Sequence, residues 1–273
     1  MSRSATQLRI ALLAGVALAA CGGDDSASVD AATESTANAT DTGTGADTGT
    51  ETDMDTDGEA APRRCVAPEG MGSPTTIAAA LELLGALPEP VTVACVVESL
   101  DRPLAINATS STFSAQPAAG GESPRIFIFV ADGALLLSVV PDGDGAPLLE
   151  FGQASGYAEG ESLKGELHMP VALPIPADKP YAHLRYTEAV TSCGVCHRDE
   201  RLAAEIDHPN AFVSRALRPD PMRDVPLAEL ELEWTLCDAD ATPERCAVLD
   251  AVFNHGPVEA RDFPEDFATI FDP

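Results

Sequence analysis

Apolar positions in this chain change their spacing three times. Residues 11–20 form one unbroken apolar run. At 77–85 the sequence Ile-Ala-Ala-Ala-Leu-Glu-Leu-Leu-Gly follows Ser73-Pro74-Thr75-Thr76. A Ser/Thr start, an Ala/Leu-rich body and a closing Gly predict a short helix. From Val91 the period shortens: runs rich in Val, Ile, Leu and Phe alternate with Pro, Gly and Asp. They predict strands at 91–97, 104–108, 112–115, 125–131, 134–140, 147–151, 162–169 and 181–186. Asp132-Gly133 between two of these runs signals a tight hairpin. Pro141-Asp142-Gly143-Asp144-Gly145 marks a second turn and the glycines of 152–160 a third break. Several short strands at this spacing predict a β-sandwich-like domain over 65–180.

A Pro-rich connection, 170–180, closes that domain. The remainder, 181–273, predicts a small, mostly α-helical unit. Thr187-Glu188-Ala189-Val190 suits a short helix leading to Cys193, and 199–206 reads as helical up to His208-Pro209. Pro219 and Pro221 force a loop at 218–223. The Leu/Glu pattern of 227–236 fits helix or strand. Thr242-Pro243 opens a final helix that runs to Asn254, before His255-Gly256-Pro257. The fold class is therefore α+β.

Composition changes the picture at the amino end. Residues 22–62 hold eleven acids and no Lys or Arg, with no aromatic and almost no aliphatic side chain to bury. Such a stretch does not offset its ordering entropy, and like charges extend it, so 21–64 is expected to be a disordered acidic tether. Asp53, Asp55, Asp57 and Gly58 match the opening of a calcium loop, but its twelfth position is Arg64 rather than Glu. The formal net charge is −28. A chain this acidic does not bind nucleic acid through phosphates. No nucleophile elbow, H-E-x-x-H run or phosphate-cradling Gly loop occurs.

Residues 1–20 carry Arg3 and Arg9 ahead of the apolar run, which is too short to span a bilayer. They end Leu18-Ala19-Ala20-Cys21-Gly22. This resembles the lipobox of bacterial lipoproteins, which implies a cleaved signal peptide and acyl chains on Cys21. Several chains together anchor a protein stably in a membrane. Gly22 is not the Asp that usually retains such proteins at the inner membrane, so the expected place is the outer membrane, on its periplasmic face or at the cell surface. Six Cys then remain. Their proximity suggests disulfides Cys65–Cys95 and Cys237–Cys246, among fifteen possible connectivities. That leaves Cys193 and Cys196 for a cofactor or for each other.

These two belong to Cys193-Gly194-Val195-Cys196-His197, a C-x-x-C-H run. In an exported protein it reads as the covalent attachment site of haem c: two thioethers to the porphyrin, and His197 as proximal iron ligand. Over 186–273 the chain resembles single-haem c-type cytochromes, with a helix into the motif, a Pro-flanked Met in a loop, and a later helix. The resemblance implies one-electron transfer rather than substrate turnover, Met222 as distal ligand, and a basic redox protein as partner for the acidic surface. Met222 follows His197 by 25 positions, fewer than the family usually has. His208, His255 and an open, five-coordinate iron are the alternatives. A different class of reading is a non-enzymatic surface-binding or structural lipoprotein with Cys193 and Cys196 joined. Thiol–disulfide exchange and zinc fit less well, since no clear strand precedes Cys193 and adjacent Cys196 and His197 do not suit one tetrahedral site. Replacing Cys21 by Ser is expected to move the protein from the membrane fraction to the soluble fraction. Cell fractionation with an acyl-chain label checks this.

Overall fold

Side chains alternate across a strand, so a run of apolar residues at every second position buries one face and leaves the other for different work. In the computed structural model, which describes residues 63–187 and 190–272, five strands obey this rule in succession. They are β1 (Leu104–Thr109), β2 (Arg125–Val130), β3 (Leu135–Val139), β4 (Leu148–Gln153) and β5 (Glu161–His168). Each is antiparallel to the next, and the turn at Asp132-Gly133 joins β2 to β3 as the sequence predicts. Three shorter strands complete one sheet: β6 (Arg201–Leu202), β7 (Phe212–Arg215) and β8 (Val258–Ala260). The order is β6-β7-β5-β4-β3-β2-β1-β8, with β8 parallel to β1.

The register separates the two faces. Ile106, Ile128, Leu137, Phe151 and Gly165 are paired across β1 to β5 and form one apolar row. The neighbouring row is Asn107, Phe127, Ser138, Glu150 and Glu166. The apolar face shares one core with three helices: α1 (Ile77–Ala86), α2 (Val93–Ser99) and α5 (Pro243–Phe253). Gly165 makes room for this contact, because a Cβ there would meet Ile77 Cδ1 and Pro180 Cβ at 3.1 Å. Two further helices lie outside the sheet, α3 (Gly194–His197) and α4 (Leu227–Thr235). Disulfides join Cys65 to Cys95 and Cys237 to Cys246.

The chain is α+β, but the layer opposite the sheet is helical, so the described residues form no sandwich. The cause is local at 93–99. Thr92 caps this segment, its Oγ1 accepting the Cys95 N–H at 3.1 Å, and the expected strand at 91–97 becomes α2. Residues 112–115 form no strand, and 181–186 is a 3₁₀ turn followed by bends. The expected helix at 199–206 is replaced by β6, because Arg198 and Asp199 sit at φ 53° and 51°, in the left-handed region that ends a helix. The segment 227–236 resolves as helix α4. Nor is 181–273 a separate unit: β6 and β7 extend one edge of the sheet and β8 the other. The signal peptide, Cys21 and the tether except Arg63 and Arg64 lie outside the described residues, as do Glu188 and Ala189 of the helix expected before the motif. Among the described residues no helix is long and apolar enough to cross a membrane.

Leu137 lies at the centre of the apolar row and is 1% exposed. Leu137→Ala is expected to cost about 2–5 kcal/mol, measured by urea unfolding against the unchanged chain.

Candidate functional site

The C-x-x-C-H run folds as a single helical turn above the polar face of the sheet. The Cys193 carbonyl accepts from Cys196 N at 3.1 Å and from His197 N at 2.9 Å, which closes α3. Glu200 holds the approach to this turn. Its carboxylate accepts from the Thr191 N–H at 2.8 Å and from the Thr191 hydroxyl, and Thr191 Oγ1 accepts the Gly194 N–H at 3.2 Å. A Cβ at position 194 would run into the Glu200 carboxylate, so a larger residue between the two thiols would displace Glu200 from Thr191. On the far side the turn is tied to β7. Arg215 N donates to Arg198 O, and the Arg215 guanidinium pairs with Asp199 at 2.8 Å.

The imidazole is fixed by the same strand. His197 Nδ1 lies 2.8 Å from the Arg215 carbonyl. A carbonyl only accepts, so Nδ1 carries the proton and Nε2 becomes the ring's acceptor nitrogen. Burial, and next the Lys164 ammonium, hold His197 well below the ordinary imidazole range, so the ring is neutral. This is the protonation state in which a histidine binds a metal. Burial also pushes the Cys193 thiol up to about 12. A thiol at that value is no redox nucleophile, which speaks against thiol–disulfide exchange. Cys193 and Cys196 belong to neither disulfide.

Beneath the motif, the polar face carries a connected set of buried groups. Arg125 pairs with Glu150 at 2.5 Å, donates to Ser138 Oγ at 2.6 Å, and covers the Phe127 ring at 4.7 Å. Lys164 is buried on β5; its Nζ donates to Ser162 Oγ at 2.5 Å and reaches the Arg215 carbonyl at 3.4 Å. Desolvation draws the Lys164 ammonium down to about 8. Glu166 stands directly opposite Glu150 in the β4–β5 register. Burial first, and then the Glu150 charge, push its carboxyl up to about 7.

Two cavities open beside the motif. The smaller, about 110 Å³, is lined by Cys193, Cys196 and His197 together with Phe113 and Leu217. The larger, about 520 Å³, is lined by His197, Lys164, Phe127, Phe129 and Phe263. They share Arg125, Phe127, Glu150, His197 and Leu217. The carboxy-terminal segment forms the outer wall: Phe263 packs edge-on against Phe127 and Phe129, with centroids 5.2 and 4.9 Å away, and Phe271 against Phe113.

The residues present fit a haem by their chemistry. Two thiols and a neutral imidazole line the smaller cavity, which at about 110 Å³ is below the range of about 300–1,000 Å³ usual for ligand sites; the adjoining space of about 520 Å³, which His197 also lines, falls within it. Arg218 lines the thiol cavity with its buried Nε lacking a partner, and Arg125 and Arg261, paired with Glu150 and Asp132, line the larger one, so cationic side chains that could meet a porphyrin's carboxylates are at hand. Among the described residues no three His, Cys, Asp or Glu side chains converge as an ion site. A porphyrin iron asks the protein for axial ligands only, so this does not bear on the fit.

The expected distal ligands are placed elsewhere. Met222 sits in the turn Pro221–Arg223, 87% exposed, and lines neither cavity. His208 lies beside Tyr181 and accepts from Asn210 N. His255 is buried near Glu98 and Asp250, in the cleft that both disulfides line. Lys164, the Arg215 carbonyl and Phe263 escaped the sequence reading. Lys164 did leave a signal: Ser162, Lys164, Glu166 and His168 alternate with Leu163, Gly165 and Leu167 along one strand. No protein-family model matches the chain, and no curated protein or solved structure matches it. The functional reading therefore rests on these residues alone.

Glu166 yields a test of the polar face. The folded protein holds its proton between pH 4.5 and 7, where the unfolded chain has lost it, so this group's contribution to stability falls as pH rises through that window. Glu166→Gln is expected to gain roughly 1–3 kcal/mol relative to the unchanged chain between pH 4.5 and 7.5, read from urea unfolding at both values.

Proposed function

We propose that this is a lipid-anchored protein of the cell envelope that carries one covalent haem c and passes single electrons. The observation that supports it is the arrangement of the motif: both thiols and the imidazole line one cavity, and the imidazole is neutral with Nδ1 held by a backbone carbonyl. Cys193 and Cys196 would hold the group through thioethers and His197 would be its proximal ligand. When bound, haem supplies a one-electron couple at its iron. The chain's own part is to hold His197 through Arg215 and to keep water away with Phe127, Phe129 and Phe263. Met222, exposed on its turn, gains no support as distal ligand from its surroundings. The acidic chain suits a basic redox protein as partner and steers it electrostatically. Lipidated Cys21 would hold the domain at the outer membrane.

Expression of the full chain in a periplasm equipped for haem attachment tests this. A denaturing gel stained for haem is expected to show one band, lost in the Cys193→Ala/Cys196→Ala variant. A wild-type protein without haem, with Cys193 joined to Cys196 in peptide mass spectra, would overturn the reading and leave a stapled surface protein that binds through its sheet.

A further inference from the structure

The chain has two lysines, and one of them is buried beside the proposed iron ligand. Lys164 makes no ion pair among the described residues; its nearest acceptors are the Ser162 hydroxyl and the Arg215 carbonyl. Arg125, not Lys164, neutralises Glu150 on the adjacent strand. A buried ammonium without a carboxylate is costly, and a neutral Met or Gln would fill the same place at less cost. The position of its charge is therefore the feature to explain.

Arg215 supplies the link. Its carbonyl oxygen takes the His197 Nδ1–H at 2.8 Å and the Lys164 Nζ at 3.4 Å. A strong acceptor on Nδ1 makes an imidazole a more basic, more electron-giving ligand. A cation on the same acceptor draws its electron density away, and the charge itself favours whichever state of the site holds one more electron. We infer that Lys164 is a positioning residue for His197: by sharing the Arg215 carbonyl it weakens the Nδ1–H bond, and together with its buried charge it raises the reduction potential of the site. This rests on the haem reading given above.

The test compares the full haem-bearing chain with Lys164→Met, Lys164→Gln and Lys164→Arg. Loss of the charge is expected to make reduction less favourable by about tenfold, which is 59 mV for one electron. Lys164→Arg is expected to stay within about threefold of the unchanged protein. A second readout needs no haem. In the Cys193→Ala/Cys196→Ala chain labelled with ¹⁵N-histidine, the His197 Nδ1–H proton resonance is expected to move downfield when Lys164→Met is added, because the carbonyl is then no longer shared. Haem-loaded Met and Gln variants with an unchanged potential would overturn the inference, as would an unmoved Nδ1–H resonance. A wild-type chain that takes up no haem would instead bring down the function on which the inference stands, while the resonance still decides whether the carbonyl is shared.

Discussion

A shift of one residue in any of the five long strands would exchange the two faces of the sheet, and with them the core and the site. Ile128 and Leu137 would then face the motif, and Phe127, Ser138 and Glu150 would be pressed against helices. The register is held from the apolar side, where Ile106, Ile128 and Leu137 share a core with α1, α2 and α5. The cavities, the Arg125–Glu150 pair and the seat of His197 all inherit their geometry from that packing.

The polar face is maintained against a continuing penalty. Glu150 and Glu166 oppose each other across β4 and β5, and like charges so placed repel. Arg125 answers one of them, and Glu166 answers the other by holding its proton to about 7. A face designed only for stability would carry threonine or valine in these places. Lys164 reaches the Arg215 carbonyl of β7, the strand that holds the motif, and Ser214 of the same strand is buried with its hydroxyl lacking a partner. Unfavourable groups gathered beside the motif support the site proposed there.

Local signals were legible in the residues, and long-range ones were not. Strands β1 to β5 and the turn at Asp132-Gly133 follow from alternation over a few positions. The segment 93–99 misleads because Val93, Val96 and Val97 favour a strand, while the Thr92 cap and the packing against α5 decide for a helix. Strands β7 and β8 are too short to announce themselves, and their pairing is what makes 181–273 part of the one sheet. The same division runs through the site. Cys193, Cys196 and His197 stand out by spacing. The Arg215 carbonyl has no side-chain signature at all, and Met222 was chosen by its order along the chain, which says nothing of the direction its sulfur takes.

The last dozen residues cross the site face, with Phe263 seated on Phe127 and Phe129 and Phe271 on Phe113. Ile270 of the same segment lines the cavity of Cys193 and Cys196. Without this segment the sheet has no outer wall beside that cavity. Its docking imposes an order of events: whatever is to be installed beneath residues 263–271 has to enter before they close over the site.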